Sequence, residues 1–194
     1  EIANSQSRSD LLATAAMAII VLNGLANLDI ESRIAETQQL VGEMVEEEVR
    51  LPDDAGYGTA DILSWSAKAL KSCTPSASVV VYLRDGDRTV LRSGIMGRGS
   101  STVVPGPILE KSLTDDREQG TYLASLQNYP GKVELSYLPP NTQCVLIQPF
   151  ADGKGAIILG ADRAKCYTNK HLIYTEIVAD RIASELGLAA QAAT

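Results

Sequence analysis

SVVVYLRDGDRTVLRS, residues 78–93, sets two short strand-forming runs around a tight polar turn. Residues 78–84 are rich in β-branched side chains, Asp85-Gly86-Asp87 reverses the chain, and residues 88–93 return, so the stretch reads as a β-hairpin. A second hairpin follows the same grammar: CVLIQPF at 144–150, the turn ADGKG at 151–155, and AIILG at 156–160. Hairpins imply an antiparallel sheet, and apolar helices on either side of them need a sheet face to cover. Thr59 or Asp61 caps a helix reaching about Ser72, with Ile62, Trp65, Ala69 and Leu70 along one face. Pro107 opens a short helix through Leu113, as proline at a first turn does. Thr168 caps a last helix from about Asn169 to Leu186, where Ile173, Ile177, Ile182 and Leu186 recur at helical spacing.

The order is helix, hairpin, helical excursion, hairpin, long helix. That predicts an α+β domain over residues 59–190, an antiparallel sheet flanked by helices in the manner of GAF-like or PAS-like domains. Before it, residues 31–58 read as an acidic linker or lead-in element, with Glu43, Glu46, Glu47 and Glu48. Val41, Val45 and Val49 repeat every four residues there, which predicts a helix with a solvated acidic face over 36–50; a strand is the other reading. Residues 51–59 are turn-rich. Residues 1–30 contain LLATAAMAIIVLNGLANL, at 11–28, eighteen residues without a charge. A spanning helix needs about 20 apolar residues and at least about 17, so a single membrane span is expected. Asn23, Gly24 and Asn27 share one face of it and suit contact with a neighbouring helix in lipid.

The formal net charge of −7 and pI near 4.8 leave no basic face for a phosphate backbone, so nucleic acid is not expected as a partner. Cys73, Cys144 and Cys166 show no C-x-x-C spacing, and the single histidine, His171, finds no second ligand in sequence, so no metal site is expected. The cysteines read as structural thiols. GIMGRG at 94–99 has the spacing G-x-x-G-x-G after a hairpin strand, which reads as a flexible glycine-serine loop over 94–101 rather than a phosphate cradle. No G-x-S-x-G elbow occurs, and Asp115-Asp116 sit in a polar loop. No catalytic set emerges, and His171 reads as a surface or interface residue.

Two segments carry more than strand and turn. YLASLQNYPG (122–131) brings Tyr122 and then Tyr129, Pro130 and Gly131; LPPNTQ (138–143) brings Pro139, Asn141, Thr142 and Gln143 to the entrance of the strand that contains Gln148. Turn chemistry at a strand entrance explains them equally well as a polar recognition patch at the loop end. Together with the G-A-I-I-L-G return strand they resemble the B-subunit family of "cofactor assembly of complex C" proteins of the thylakoid, and most nearly its subunit-four branch. SRSDLLATAAMAIIVLNGL resembles the last membrane span of that family. The resemblance covers residues 7–24 and about 51–160. The chain departs from the family's pattern after the last strand, where it has Lys165-Cys166-Tyr167-Thr168 and a final helix without Trp. Family members typically have two N-terminal spans, of which this chain shows the second.

The resemblance implies a non-enzymatic, membrane-anchored assembly factor for covalent c-type haem attachment to cytochrome b6 of the cytochrome b6f complex. It implies a heterodimer with a paralogous family subunit, apo-cytochrome b6 as client, membrane lipid around the span, and a domain on the stromal or cyanobacterial cytoplasmic side of the thylakoid. The nine residues singled out above from Tyr122 to Gln148 are then partner-binding candidates. No stably bound cofactor of its own is expected; the client's haem is the only candidate. Two other readings stand beside it: a GAF-like sensor enclosing a small ligand, or an accessory subunit of a larger thylakoid complex.

Overall fold

The computed structural model describes residues 2–27, 36–51, 56, 58–99, 102–114 and 120–188, with side chains for residues 10–24 of the first helix. Asp115 and Asp116, Ser100 and Leu28 therefore lie outside the described residues, as do the expected boundaries at 30 and 190. The chain divides into two units, Glu1–Ile34 and Ala35–Thr194.

The first unit holds helix α1, Ile2–Asn27. Its described side chains are exposed, among them Leu11, Leu12, Ile19, Ile20 and Leu22. The membrane span expected at 11–28 is not found there: among the described residues no helix is long and apolar enough to cross a membrane.

The second unit is a six-stranded antiparallel sheet with helices on both faces. In chain order it runs β1 (Glu43–Val49), α2 (Thr59–Cys73), β2 (Ser76–Leu83), β3 (Arg88–Met96), α3 (Pro107–Thr114), β4 (Thr121–Leu123), β5 (Cys144–Phe150), β6 (Gly155–Ala161) and α4 (Asn169–Glu185). Two 3-10 turns, Leu126–Asn128 and Pro130–Leu135, lie between β4 and β5. The spatial order is β1-β3-β2-β6-β5-β4. Both expected hairpins form, and they join edge to edge where β2 pairs with β6, Ser78 opposite Gly160 and Val81 opposite Ile157.

Successive residues on a strand point to opposite faces, so an unbroken apolar run signals a sheet covered on both sides. Val79, Val81, Leu146, Ile157 and Leu159 pack with Leu63, Ala67 and Leu70 of α2 and Val178, Ala179 and Ile182 of α4. Val80, Tyr82, Val145, Ile147 and Ile158 pack on the other face with Leu109 and Leu113 of α3 and with Leu126, Leu135, Tyr137 and Leu138. Each fully buried Val, Leu or Ile contributes about 1.5–3 kcal/mol relative to exposure.

Three local expectations are corrected. Residues 43–49 form an edge strand on β3 rather than a helix. The register shifts between Val45 and Glu48, so that valines four apart, which a regular strand would keep on one face, part: Val45 turns towards the α3 face and Val49 towards the α2–α4 face. Its glutamates are useful there, because charge on an edge strand discourages further strand addition. Trp65, Ile173 and Ile177, expected on buried stripes, are 52%, 57% and 61% exposed. Both helices turn smaller residues inward instead, among them Ala67, Ala179 and Ala183, which let the backbones approach the sheet. The glycine loop expected from residue 94 begins later, since β3 continues to Met96.

Gly94 explains that last difference. It has φ of +101° inside the strand, and an added Cβ would run into the Ala77 carbonyl oxygen of β2. Only glycine fits both constraints. Replacing Gly94 by Ala should cost at least about 2 kcal/mol, read as a lower urea midpoint at unchanged slope.

Candidate functional site: a groove at the loop end

Tyr129, Pro130 and Gly131 start the second 3-10 turn, with Tyr129 N–H donating to the Leu126 carbonyl at 2.9 Å. Gly131 is held close to α3: a Cβ there would lie 2.9 Å from Ile108 Cδ1. The turn is tied to α3 a second time by Glu134, whose carboxylate accepts from the N–H groups of Ile108 at 2.8 Å and Leu109 at 2.7 Å. A helix start leaves such donors without intrahelical partners and carries partial positive charge. Here the cap comes from 25 or more residues along the chain, which no local capping pattern announces.

The polar side chains of LPPNTQ are engaged within the domain. Thr142 is fully buried and donates to the Pro139 carbonyl at 2.8 Å, and Gln143 Nε2 donates to the Asn141 carbonyl at 2.7 Å. Asn141 acts as a fork: Nδ2 donates to the Gln39 carbonyl at 2.7 Å, and Oδ1 accepts from Val41 N–H at 2.8 Å. One amide thus does for residues 39–41 what a neighbouring strand would do. Gln127 Nε2 reaches the carbonyls of Pro140 at 3.1 Å and Thr142 at 2.7 Å.

Once those groups are satisfied, what faces outward is apolar and cationic. Residues 41, 97–98, 126, 132–133, 135–136 and 138–140 line an open groove of about 390 Å³, with Val41, Leu126, Val133, Leu138, Pro139 and Pro140 as its apolar surface and Arg98 and Lys132 among them. Val133 is 80% exposed. Lys132 Nζ donates to Gln127 Oε1 at 3.2 Å and to its carbonyl at 3.3 Å. Two cations beside apolar surface, on a chain with net charge −7, can receive a segment that is apolar with acidic groups.

The expected site residues fall into separate places. Pro139 lines the groove; Tyr129, Pro130 and Gly131 build its neighbouring turn; Asn141, Thr142 and Gln143 hold the loop behind it. Gln148 is 2% exposed within β5. Asn23 and Gly24 lie on α1, and the side chain of Asn27 is outside the described residues. Tyr122 belongs to another cluster. Its ring meets Tyr167 edge to face at 5.7 Å, and its hydroxyl accepts from Tyr167 N–H at 3.3 Å. Burial, then the neighbouring Cys144, pushes the Tyr122 phenol up to about 12. His171 caps α4 by accepting from Thr168 N–H at 3.1 Å through Nδ1, and burial lowers its pKa. Among the described residues no group of three or more His, Cys, Asp or Glu is placed to hold a metal ion.

Sequence reasoning missed Arg98, Lys132, Val133 and Glu134, as well as the approach of Cys144 to Cys166. The signal for the cysteines was present: one opens β5 and the other follows β6, so the hairpin returns both to the same end. A ligand enclosed between the sheet and α3 would need empty space where Tyr82, Leu109, Leu135, Tyr137 and Ile158 pack together. Replacing Glu134 by Ala should cost about 1–2 kcal/mol, and Glu134→Gln about half as much, measured by chemical denaturation.

Comparison with known proteins finds the family that the sequence resembles. Residues 1–182 match the CCB2/CCB4 family of cofactor assembly of complex C, B subunit. The chloroplastic cofactor assembly of complex C protein CCB4 of Arabidopsis thaliana is 29% identical over 199 residues, which are 95% of this chain and 63% of that protein. The chain thus spans less than two thirds of that relative's length. Among solved structures, the GAF domain/HD domain protein of Geobacter sulfurreducens has a TM-score of 0.50 at 15% identity, covering 66% of this chain and 92% of its own. The GAF domain of a Bacillus halodurans two-component sensor histidine kinase has a TM-score of 0.49 at 20% identity, over 66% and 92%. The sheet and its helices are GAF-like, and by a match running from residue 1 to residue 182 the chain belongs to the CCB2/CCB4 family of cofactor assembly of complex C.

Proposed function

We propose that this chain is a non-enzymatic assembly factor in biogenesis of the cytochrome b6f complex, acting where c-type haem is attached covalently to cytochrome b6. The observation that carries this reading is the family match over residues 1–182, with the chloroplastic relative beside it. The factor works at the thylakoid membrane as a heterodimer with a paralogous family member, its domain on the stromal (or cyanobacterial cytoplasmic) side and apo-cytochrome b6 as client. The exposed apolar side chains of α1 are the part we assign to lipid or to a neighbouring membrane helix. The groove lined by Val133 and Pro140 beside Arg98 and Lys132 is the surface we assign to partner docking, because its apolar floor and paired cations suit a complementary segment better than a reaction. Holding partners requires no cofactor of its own, and the one histidine is engaged in capping α4.

Replacing Val133 by Asp together with Arg98→Glu and Lys132→Glu should lower haem-bound cytochrome b6 tenfold or more and reduce the b6f complex, with photosystems unchanged. Haem staining of membranes reads the first effect, and circular dichroism of the purified variant verifies the fold. Wild-type levels of haem-bound cytochrome b6 with a folded variant would overturn the docking assignment; the same result after removal of the whole chain would overturn the function.

A further inference from the structure

Cys144, the first residue of β5, is buried, and Cys166, between β6 and α4, is half-buried. Both are free thiols, and their Sγ atoms are 3.1 Å apart. A disulfide holds its sulfurs at about 2.05 Å, so bond formation asks for about 1 Å of approach. The backbone on each side is already fixed. Cys144 is paired with Ala161 in the β5–β6 ladder, Gln143 N–H donates to the Ala161 carbonyl at 2.9 Å, and Lys165 N–H donates to the Ala124 carbonyl at 2.9 Å. The turn between the sulfurs is therefore closed before any bond forms.

The surroundings divide the two sulfurs by role. Cys144 sits where the Cys166 thiol and the Tyr122 hydroxyl can both donate to it, and those hydrogen bonds lower its pKa. Cys166, as donor to Cys144, is pushed up. Cys166 is the sulfur that solvent reaches, while Cys144 waits behind it. Cys166 therefore offers the reachable sulfur, and Cys144 is the neighbouring base that can take its proton. Cys73 is exposed at the end of α2 and takes no part.

We propose that Cys144 and Cys166 are a reversible dithiol–disulfide pair, a redox-modification site that exchanges with a protein or low-molecular-weight disulfide. With the pair singly ionised and the charge on Cys144, Cys166 sulfur attacks one sulfur of the incoming disulfide as its proton passes to Cys144, and the first thiolate leaves and is protonated from water. Cys144 then gives up its proton and attacks Cys166 sulfur in the mixed disulfide; the intramolecular bond forms and the second thiolate leaves. Two protein thiols lose two electrons and two protons, and the reagent disulfide becomes two thiols. The bond links the start of β5 to the segment carrying Tyr167 and the Thr168 cap of α4.

The test is a redox titration of the intact chain in buffers of reduced and oxidised glutathione, quenched with acid, alkylated with a maleimide in denaturant and read by mass spectrometry. As the buffer becomes more oxidising, two of the three alkylatable thiols should disappear together, with a 144–166 linked peptide, Cys73 still labelled, and full recovery on reduction. Cys73→Ser should leave that transition in place, and Cys166→Ser should abolish it. Three maleimide adducts throughout the titration of the unaltered chain, or glutathione held stably on Cys166 with Cys144 still free, overturns the proposal.

Discussion

The pairing of β2 with β6 is the contact on which the domain is built, because it turns two local hairpins into one sheet. Each hairpin alone would be marginal in water; a sheet of several strands with covered faces is not. The seam is closed by Val79 opposite Leu159, Val80 opposite Ile158 and Val81 opposite Ile157, side chains buried alternately on the two faces. Burial on both faces obliges the rest of the chain to provide two covers. The helices α2 and α4 form one, and α3 with the two 3-10 turns forms the other.

The second cover is made of irregular chain, and that is why so many polar side chains are fixed there. Irregular backbone over a buried sheet has carbonyl and N–H groups that no helix or ladder satisfies. Gln127 answers two carbonyls, Thr142 one, Glu134 two N–H groups, and Asn141 one of each. Groups that read in sequence as a recognition patch are thus mostly engaged in holding the cover closed. What they position is the apolar and cationic surface of the groove, a division of labour between the motif and the residues it presents.

The hairpins, the capped last helix and the α+β order were legible because β-branched runs, Asp-Gly turns and a Thr cap act locally. The failures share a physical cause: each depended on a partner distant in sequence. β1 is a strand because β3 pairs with it, and Gly94 stays in its strand because β2 passes close by. In α2 and α4 two apolar stripes were available, and only the sheet could choose Leu63, Ala67 and Val178 over Trp65, Ile173 and Ile177. Arg98 and Lys132 were unremarkable in sequence, since what distinguishes them is the groove they share.

Asn141 connects these levels. Its fork holds Gln39 and Val41, and Val41 is itself part of the groove lining, so one wall of the groove is chain that precedes the sheet. Two hydrogen bonds to a single side chain tie that wall to the LPPNTQ loop. Aspartate at that position would keep the acceptor for Val41 N–H and lose the donor to the Gln39 carbonyl, whereas alanine would lose both. Asn141 therefore sets the shape of the groove from behind it. The YPG and LPPNTQ segments then serve the same surface, since one supports the floor of the groove and the other secures its side.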